Sequence, residues 1–410
     1  MNIHKMTLGL LCFLLLNLHV VKAESHTQDK SYTFDANKTS ELRVREGLPN
    51  FFKKLHAGED VKVGYIGGSI TNGGMWRDKS IAWLQSEYPQ ANISQVNAAI
   101  GGTGPDYGAA RMGEHLLKHN PDMVFIEYRV NNGGVYQGRA IEGLIPQIWK
   151  HNPQAEICIV YTISHWMIED IAKGNQTQAG KHIEAVANHY GITSIDFGLE
   201  VVNLLEGNQL VFKKGDSPTK GKIIFSKDGV HPVESGHDIY QSVLARSLKS
   251  IESHGVAGTN SIPEPSQQRI FSNASMVPVN KAIYSNNWHS VPLTGIDIDA
   301  DLADENRGSK VIFDQAMTTS TVGESFTFEW EGFLLGFTAL LEGKGDVLLE
   351  VSTDGGKAKL VDMRSRSGKS QEKYKYLAEV EDGKHKTTVK VIKLADNKAF
   401  QIGQFLVIAD

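Results

Sequence analysis

Ser69 stands in the segment Gly67-Gly68-Ser69-Ile70-Thr71, where an apolar run ends in glycine. A hydroxyl there, at the top of a strand and the start of the next helix, can attack a substrate or cap the helix. Taken alone, it reads as a helix N-cap in a Gly-rich turn. A phosphate cradle does not fit, because the segment has neither a Gly-Lys-Ser/Thr ending nor the spacing G-x-G-x-x-G. The nucleophile elbow G-x-S-x-G also fails, because Thr71 holds its last position. Further on, Asn97-Ala-Ala-Ile-Gly101-Gly102-Thr103-Gly104 supplies glycines whose backbone N–H groups can approach a ligand closely. Val130-Asn131-Asn132-Gly133 supplies an amide able to donate to an anion. In Asp228-Gly229-Val230-His231-Pro232 a short turn can set a carboxylate against an imidazole, or simply be an Asx-turn before a surface histidine. Each segment by itself is an ordinary turn. Together they hold a hydroxyl, a glycine N–H, an asparagine amide and an Asp–His pair. Acyl transfer needs that inventory as nucleophile, oxyanion donors, base and base-orienting group.

These segments must be carried by elements that bring them together. Apolar runs at Val61–Gly68, Ile93–Ile100, Met123–Val130 and Glu156–Ser164, with a weaker one at Ile192–Phe197, read as strands. Helical stripes lie between them: Ile183, Val186, Ala187 and Tyr190 share one face, as do Met112, Leu116 and Leu117. After His231, Tyr240, Val243, Leu244, Ser247, Leu248 and Ile251 form another. Strands alternating with helices predict a parallel sheet covered on both faces, a three-layer α/β/α domain with its functional groups beyond the carboxyl ends of the strands. Near residue 255 the pattern changes. Gly255–Gln268 reads as a linker, and from about residue 280 the period is two. Phe326, Phe328 and Trp330 alternate with polar residues, Asp354-Gly355-Gly356 signals a hairpin, and Thr388–Leu394 and Phe400–Ala409 read as closing strands. This tail is expected to be an all-β sandwich. The expected organisation is a signal at 1–23, a catalytic domain at 24–254, a linker at 255–270 and the sandwich at 271–410.

The chain has 410 residues, 40% hydrophobic and 22% charged, with a net charge of −5, which excludes wholesale disorder and a basic nucleic-acid-binding surface. Lys5, the apolar stretch Met6–Val21 and Val21-Lys22-Ala23 read as a cleaved secretory signal, too short and too interrupted for a membrane span. Cleavage would remove Cys12 and leave Cys158, in an apolar run, as a small buried hydrophobe with no disulfide. No metal or other cofactor is expected. His115 and His119 read as two solvated helix histidines and His237 as structural. Trp76 and the pair His165-Trp166 are weaker candidates for stacking on a sugar. Gly207–Lys222 reads as a long polar loop that could rim a cleft. Trp288 and Trp330 are candidate contact residues of the tail, with Trp330 the better fit to its core.

The four chemistry-bearing segments, in this order, resemble the blocks of the SGNH (GDSL-type) hydrolases, over roughly Leu42 to Ile251 and including the lead-in Arg45-Glu-Gly-Leu-Pro-Asn-Phe-Phe52. The resemblance implies a flavodoxin-like α/β/α fold. Its Gly-Gly-Ser-Ile-Thr variant belongs mainly to secreted bacterial esterases that remove acetyl groups from polysaccharides. By this resemblance Ser69 is the nucleophile, His231 the base and Asp228 its partner. The Ser69 and Gly102 N–H groups and the Asn131 amide form the oxyanion hole. Gly68 stands where the founding motif has Asp, and Asn132 where the family usually has Asp. The implied substrate is an acetylated glycan or another small ester, acted on in a secreted or periplasmic setting. Other readings are an esterase acting on lipid or aryl esters, or a silent glycan-binding protein.

Overall fold

The computed structural model describes residues 34–292, 315–341, 345–363 and 371–410. The expected signal and Cys12 lie outside them. Ala36–Asp410 forms one compact unit. Its first part is a sheet of β1 (Leu42–Arg43), β2 (Asp60–Gly67), β3 (Asn92–Asn97), β4 (Met123–Glu127), β5 (Glu156–Tyr161) and β6 (Thr193–Asp196). The order is β1-β6-β5-β4-β2-β3, with β1 antiparallel at one edge and the remaining strands parallel. From β3 to β6 this is the flavodoxin-like order. The strands are apolar on both sides because helices cover both faces. Helices α1 (Pro49–Ala57), α3 (Met75–Glu87), α8 (Phe197–Glu206) and α9 (Glu234–Ile251) bury one face; α4 (Pro105–His115), α5 (Gln137–His151) and α7 (Gln178–His189) bury the other. The short α2 (Ser69–Asn72) and α6 (Ile168–Ala172) complete the set.

Strand β7 (Leu210–Lys213) falls within the segment expected to be a polar loop and pairs in parallel with β8 (Ile223–Ser226), which directly follows that segment. Leu210, Val211 and Phe212 are buried there, so the polar Lys214–Lys222 stretch alone behaves as a surface loop. Cys158 is buried and free, and burial pushes its thiol pKa up, which makes it inert.

The second part has two antiparallel sheets built from β9 (Asn273–Pro278), β10 (Ile283–Tyr284), β11 (His289–Pro292), β12 (Gln315–Thr319), β13 (Ser325–Gly332), β14 (Leu334–Leu341), β15 (Val347–Thr353), β16 (Lys359–Asp362), β17 (Gln371–Tyr376), β18 (Gly383–Leu394) and β19 (Phe400–Ala409). One sheet runs β10-β13-β18-β15-β16. The other runs β11-β12-β19-β14-β17, with β9 also on β19. Their inner faces interdigitate: Phe328 stacks on Phe405 with ring centroids 3.9 Å apart. The β15–β16 turn has Asp354 at φ 54° and Gly355 at φ 68°, the left-handed pair that suits a tight hairpin. Trp330 is buried, as its alternation requires, and donates Nε1–H to Thr387 Oγ1 at 2.9 Å. Trp288 is buried as well, packed on Tyr284, Phe326 and Phe400, so it is core rather than a contact residue.

The two parts share buried surface. Phe271, Phe333, Tyr376, Leu406 and Ile408 lie in the same apolar cluster as Tyr107 of α4 and Ala140 and Leu144 of α5. A Cβ on Gly143 would sit 2.4 Å from the Phe271 carbonyl carbon, so only glycine admits this approach. The stretch between Ile251 and Asn273 has no regular element, yet it is strapped along the α/β surface. Asn260 N–H donates to Pro153 O at 2.7 Å, and the Gln267 side chain donates to Glu142 Oε2 at 2.9 Å. Calorimetric unfolding of the full chain is expected to show one cooperative transition. Phe271→Ala should lower stability by about 3–5 kcal/mol, measured by urea titration; two separate transitions would contradict a shared core.

Candidate active site

The parallel strands order the site. In this strand order the sheet reverses direction of construction between β2 and β4, which opens a crevice at their carboxyl ends. Ser69 follows β2 and Asn131 follows β4, so the two flank that crevice. Gly68, between β2 and Ser69, has extended backbone, with φ −93° and ψ −154°. A Cβ there would lie 2.0 Å from Asn131 Oδ1. Glycine at this position therefore lets the Asn131 amide lie directly over the Ser69 turn. Asn132 Nδ2 is buried without a protein acceptor.

The Ser69 turn is tied down from beneath. Thr71 Oγ1–H donates to Glu127 Oε2 at 2.9 Å, and Thr162 Oγ1–H donates to Oε1 at 2.6 Å. Glu127 ends β4 and is fully buried. Burial pushes its pKa up against the opposing effect of these hydrogen bonds and of Arg129. Arg129, also buried, grips Asp196 through both of its terminal nitrogens, at 2.5 and 2.8 Å, and donates Nε–H to Thr162 O at 2.9 Å. Sequence reasoning passed over Glu127 and Arg129. The available signal was a pair of opposite charges inside an apolar run just before Asn131.

His231 Nε2 lies 2.8 Å from Ser69 Oγ, and His231 Nδ1 lies 2.7 Å from Asp228 Oδ2. The other Asp228 oxygen, Oδ1, accepts the N–H groups of Val230 and His231, each at 2.8 Å, and the Ser226 hydroxyl at 3.0 Å. One carboxylate oxygen thus closes the turn and the other faces the imidazole. Partial burial raises the Asp228 pKa, but the hydrogen bonds from His231, Val230 and Ser226 outweigh it and hold the carboxyl well below the usual range. Asp228 is therefore ionised at any ordinary pH. Ser226 ends β8, so the small β7–β8 pair fixes the turn's root.

Gly102 lies at the tip of the loop from β3 to α4, at φ +74°, with no atom within 4 Å of where a Cβ would be. It is exposed, and a Cβ on neighbouring Gly101 would meet Ser69 Cβ at 3.5 Å. The structure thus brings Ser69, Asp228 and His231 into one hydrogen-bonded chain, and sets Gly102 and Asn131 on either side of Ser69.

Other residues fall elsewhere. Trp76 is fully buried, in edge contact with Tyr65 and Phe125, and cannot serve as a sugar platform. His115 is buried rather than solvated, because its stretch of α4 faces inward. His237 is buried, and burial first, with help from Lys79, lowers its pKa to about 4. Trp166 is 55% exposed, and its neighbour His165 is bonded to the Asp228–His231 turn, donating N–H to Gly229 O at 2.9 Å. Among the described residues no group of His, Cys, Asp or Glu side chains is arranged to hold a metal ion, and no helix is long and apolar enough to cross a membrane.

Residues 65–239 match the model of the GDSL-like Lipase/Acylhydrolase family. No curated protein sequence matches significantly. Among solved structures, a two-domain esterase (CEX) active on acetylated mannans is similar over both parts. In its complex with mannopentaose it is 20% identical, covering 92% of this chain and 96% of its own, with a TM-score of 0.72. A second structure of that esterase is 19% identical, covering 90% and 98%, with a TM-score of 0.73.

Gly68→Ala is expected to fold but to displace the Asn131 amide. We expect kcat for an activated ester to fall about 10²-fold or more, since one oxyanion donor is typically worth 10²–10³, with the far-UV circular dichroism spectrum unchanged.

Proposed function

The chain carries a GDSL-like hydrolase domain followed by antiparallel β sheets, and from that premise we propose that it is an exported serine esterase removing acetyl groups from a polysaccharide or oligosaccharide. The observation that carries this reading is the unbroken chain Asp228–His231–Ser69, at 2.7 and 2.8 Å, with Gly102 and Asn131 on either side of Ser69. His231 Nε2 takes the Ser69 proton as Ser69 Oγ bonds to the ester carbonyl carbon. The carbonyl oxygen gains the negative charge and accepts hydrogen bonds from Ser69 N–H, Gly102 N–H and the Asn131 amide. His231 then delivers its proton to the departing sugar oxygen, and acetyl-Ser69 remains. Water attacks this ester with His231 again as base, releasing acetate and restoring Ser69. Asp228 holds the imidazole in the tautomer with Nδ1–H and stabilises its cation.

The substrate class rests on the likeness in both parts to an esterase active on acetylated mannans. In this reading the catalytic domain is 24–254, the linker 255–270 and the sandwich 271–410, and residues 1–23 direct export. Trp166, exposed beside the Asp228–His231 turn, is the side chain best placed to lie against a sugar ring.

Two measurements test the reading. Wild type should hydrolyse p-nitrophenyl acetate faster than longer acyl esters and release acetate from acetylated mannan. Ser69→Ala should abolish both with an unchanged melting temperature. Asp228→Asn should keep the fold and lose about 10³–10⁴ in kcat, as expected when the base is held in the wrong tautomer. Normal turnover by folded Ser69→Ala would overturn the assignment.

A further inference from the structure

The loop that carries Gly102 is anchored at its start by the sheet. Ala98 N–H donates to Tyr65 O at 2.8 Å and Ile100 N–H to Gly67 O at 3.1 Å. Arg111, buried within α4, donates to Ala98 O. Thr103 Oγ1–H closes the loop on Ile100 O at 2.9 Å. The far end of the loop is anchored by a residue of the sandwich. Gly104 N–H donates to Tyr374 Oη at 3.2 Å, and Tyr374 O–H donates to Asp106 Oδ1 at 3.0 Å. One phenol on strand β17 thus accepts from the loop and donates to the first turn of α4. Its ring stacks on Tyr107, with centroids 4.7 Å apart and planes 17° from parallel. Tyr376, two residues on and hence on the same side of the strand, donates to Asp106 O at 2.9 Å. Between the two anchors the loop runs through Gly101–Thr103, tied across by Thr103, with Gly102 as its exposed tip.

We propose that Tyr374 of the β-sandwich is a positioning residue for ester hydrolysis, which holds the loop end so that the Gly102 N–H points at the developing oxyanion. The proposal rests on the acyl-transfer reading above. The sandwich then has a part in the chemical step that needs no contact between it and the sugar. The physics is that of preorganisation: a donor contributes fully only if its direction is fixed before the charge forms. A loop pinned at one end alone samples orientations in which the N–H misses the oxyanion, and a displacement of about 1 Å can cost about 10²-fold in rate. Burial raises the pKa of Tyr374 above that of a free phenol, so it keeps the proton it donates to Asp106.

The test is Tyr374→Phe in the full chain, which keeps the stacked ring and removes only the hydroxyl. With p-nitrophenyl acetate we expect kcat to fall about 10- to 100-fold with KM within about twofold, because the lost interaction acts only in the transition state. Affinity for phenylboronic acid, which forms a tetrahedral adduct on the nucleophile, should fall in parallel. Asp106→Ala should lower kcat similarly, and the double variant should fall no further than either single one, since both break the same anchor. The melting temperature of Tyr374→Phe should stay close to wild type. Wild-type kcat in Tyr374→Phe, a loss confined to KM, or additive losses in the double variant would overturn the proposal. Absence of ester hydrolysis by the wild type would instead overturn the functional reading on which it rests.

Discussion

The hydrogen bond between His231 Nε2 and Ser69 Oγ joins residues 162 positions apart, and the rest of the architecture can be read as what that contact requires. Neither residue reaches the other by local structure. Ser69 is delivered by β2, which lies between β4 and β3 in the parallel sheet. His231 is delivered by the turn after β8, rooted through Ser226 and held in shape by Asp228 Oδ1. Serine hydrolysis tolerates little slack in such a contact, because proton transfer requires hydrogen-bond distance in a productive pose. Rigid elements supply that precision. The polar layer under the crevice adds to it: Glu127 ties β4 to the Ser69 turn through Thr71 and to the segment after β5 through Thr162, while Arg129 locks onto Asp196 at the end of β6. A buried ion pair of this kind is weak evidence of stability. Its geometric effect is plain, since it fixes the carboxyl ends of neighbouring strands relative to one another.

Much of this was readable in the chain because local signals and tertiary outcome agree. Apolar runs separated by helical stripes became parallel strands, and the polar residues just past them gathered at one edge. The Asp228–His231 spacing allowed a turn, and the turn formed. What could not be read depends on partners far away in sequence. Trp76 and Trp288 carry the same side chain as Trp166, yet two are core and one is exposed, and nothing local separates them. His115 lies on the inward side of a helix whose pairing with α5 and the β sheets only the fold reveals. Glu127 was hidden because a carboxylate closing a buried strand looks like a strand end facing water. The β7–β8 pair was hidden because its apolar residues are few and the surrounding segment is polar.

The sandwich changes meaning once its packing is known. A tail with its own period, after a stretch that reads as a linker, leaves open in the sequence whether it packs on the α/β domain. In the fold it does: Phe271 enters the α/β core against Gly143, and the stretch before it is bonded to Glu142. Strand β17 is the edge of its sheet. Two tyrosines on one of its faces, Tyr374 and Tyr376, reach the start of α4 and the loop before it.

Two features of the crevice then follow from one geometric demand, that donors crowd around Ser69 without crowding it. On one side the demand removes a side chain. Gly68 has no Cβ, so the Asn131 amide can approach the turn, and the turn is tied to β4 through Thr71 and Glu127. On the other side the demand removes contacts. Gly102 adopts a left-handed conformation with open space around it, which leaves its N–H available but leaves the tip unsupported. Support for such a tip has to come from its flanks. One flank reaches the sheet of the α/β domain. The other, at Gly104, reaches a tyrosine some 270 positions away in the sandwich. The exposed tip at Gly102 thus lies between two held flanks, and the residue that holds the second lies outside the α/β domain.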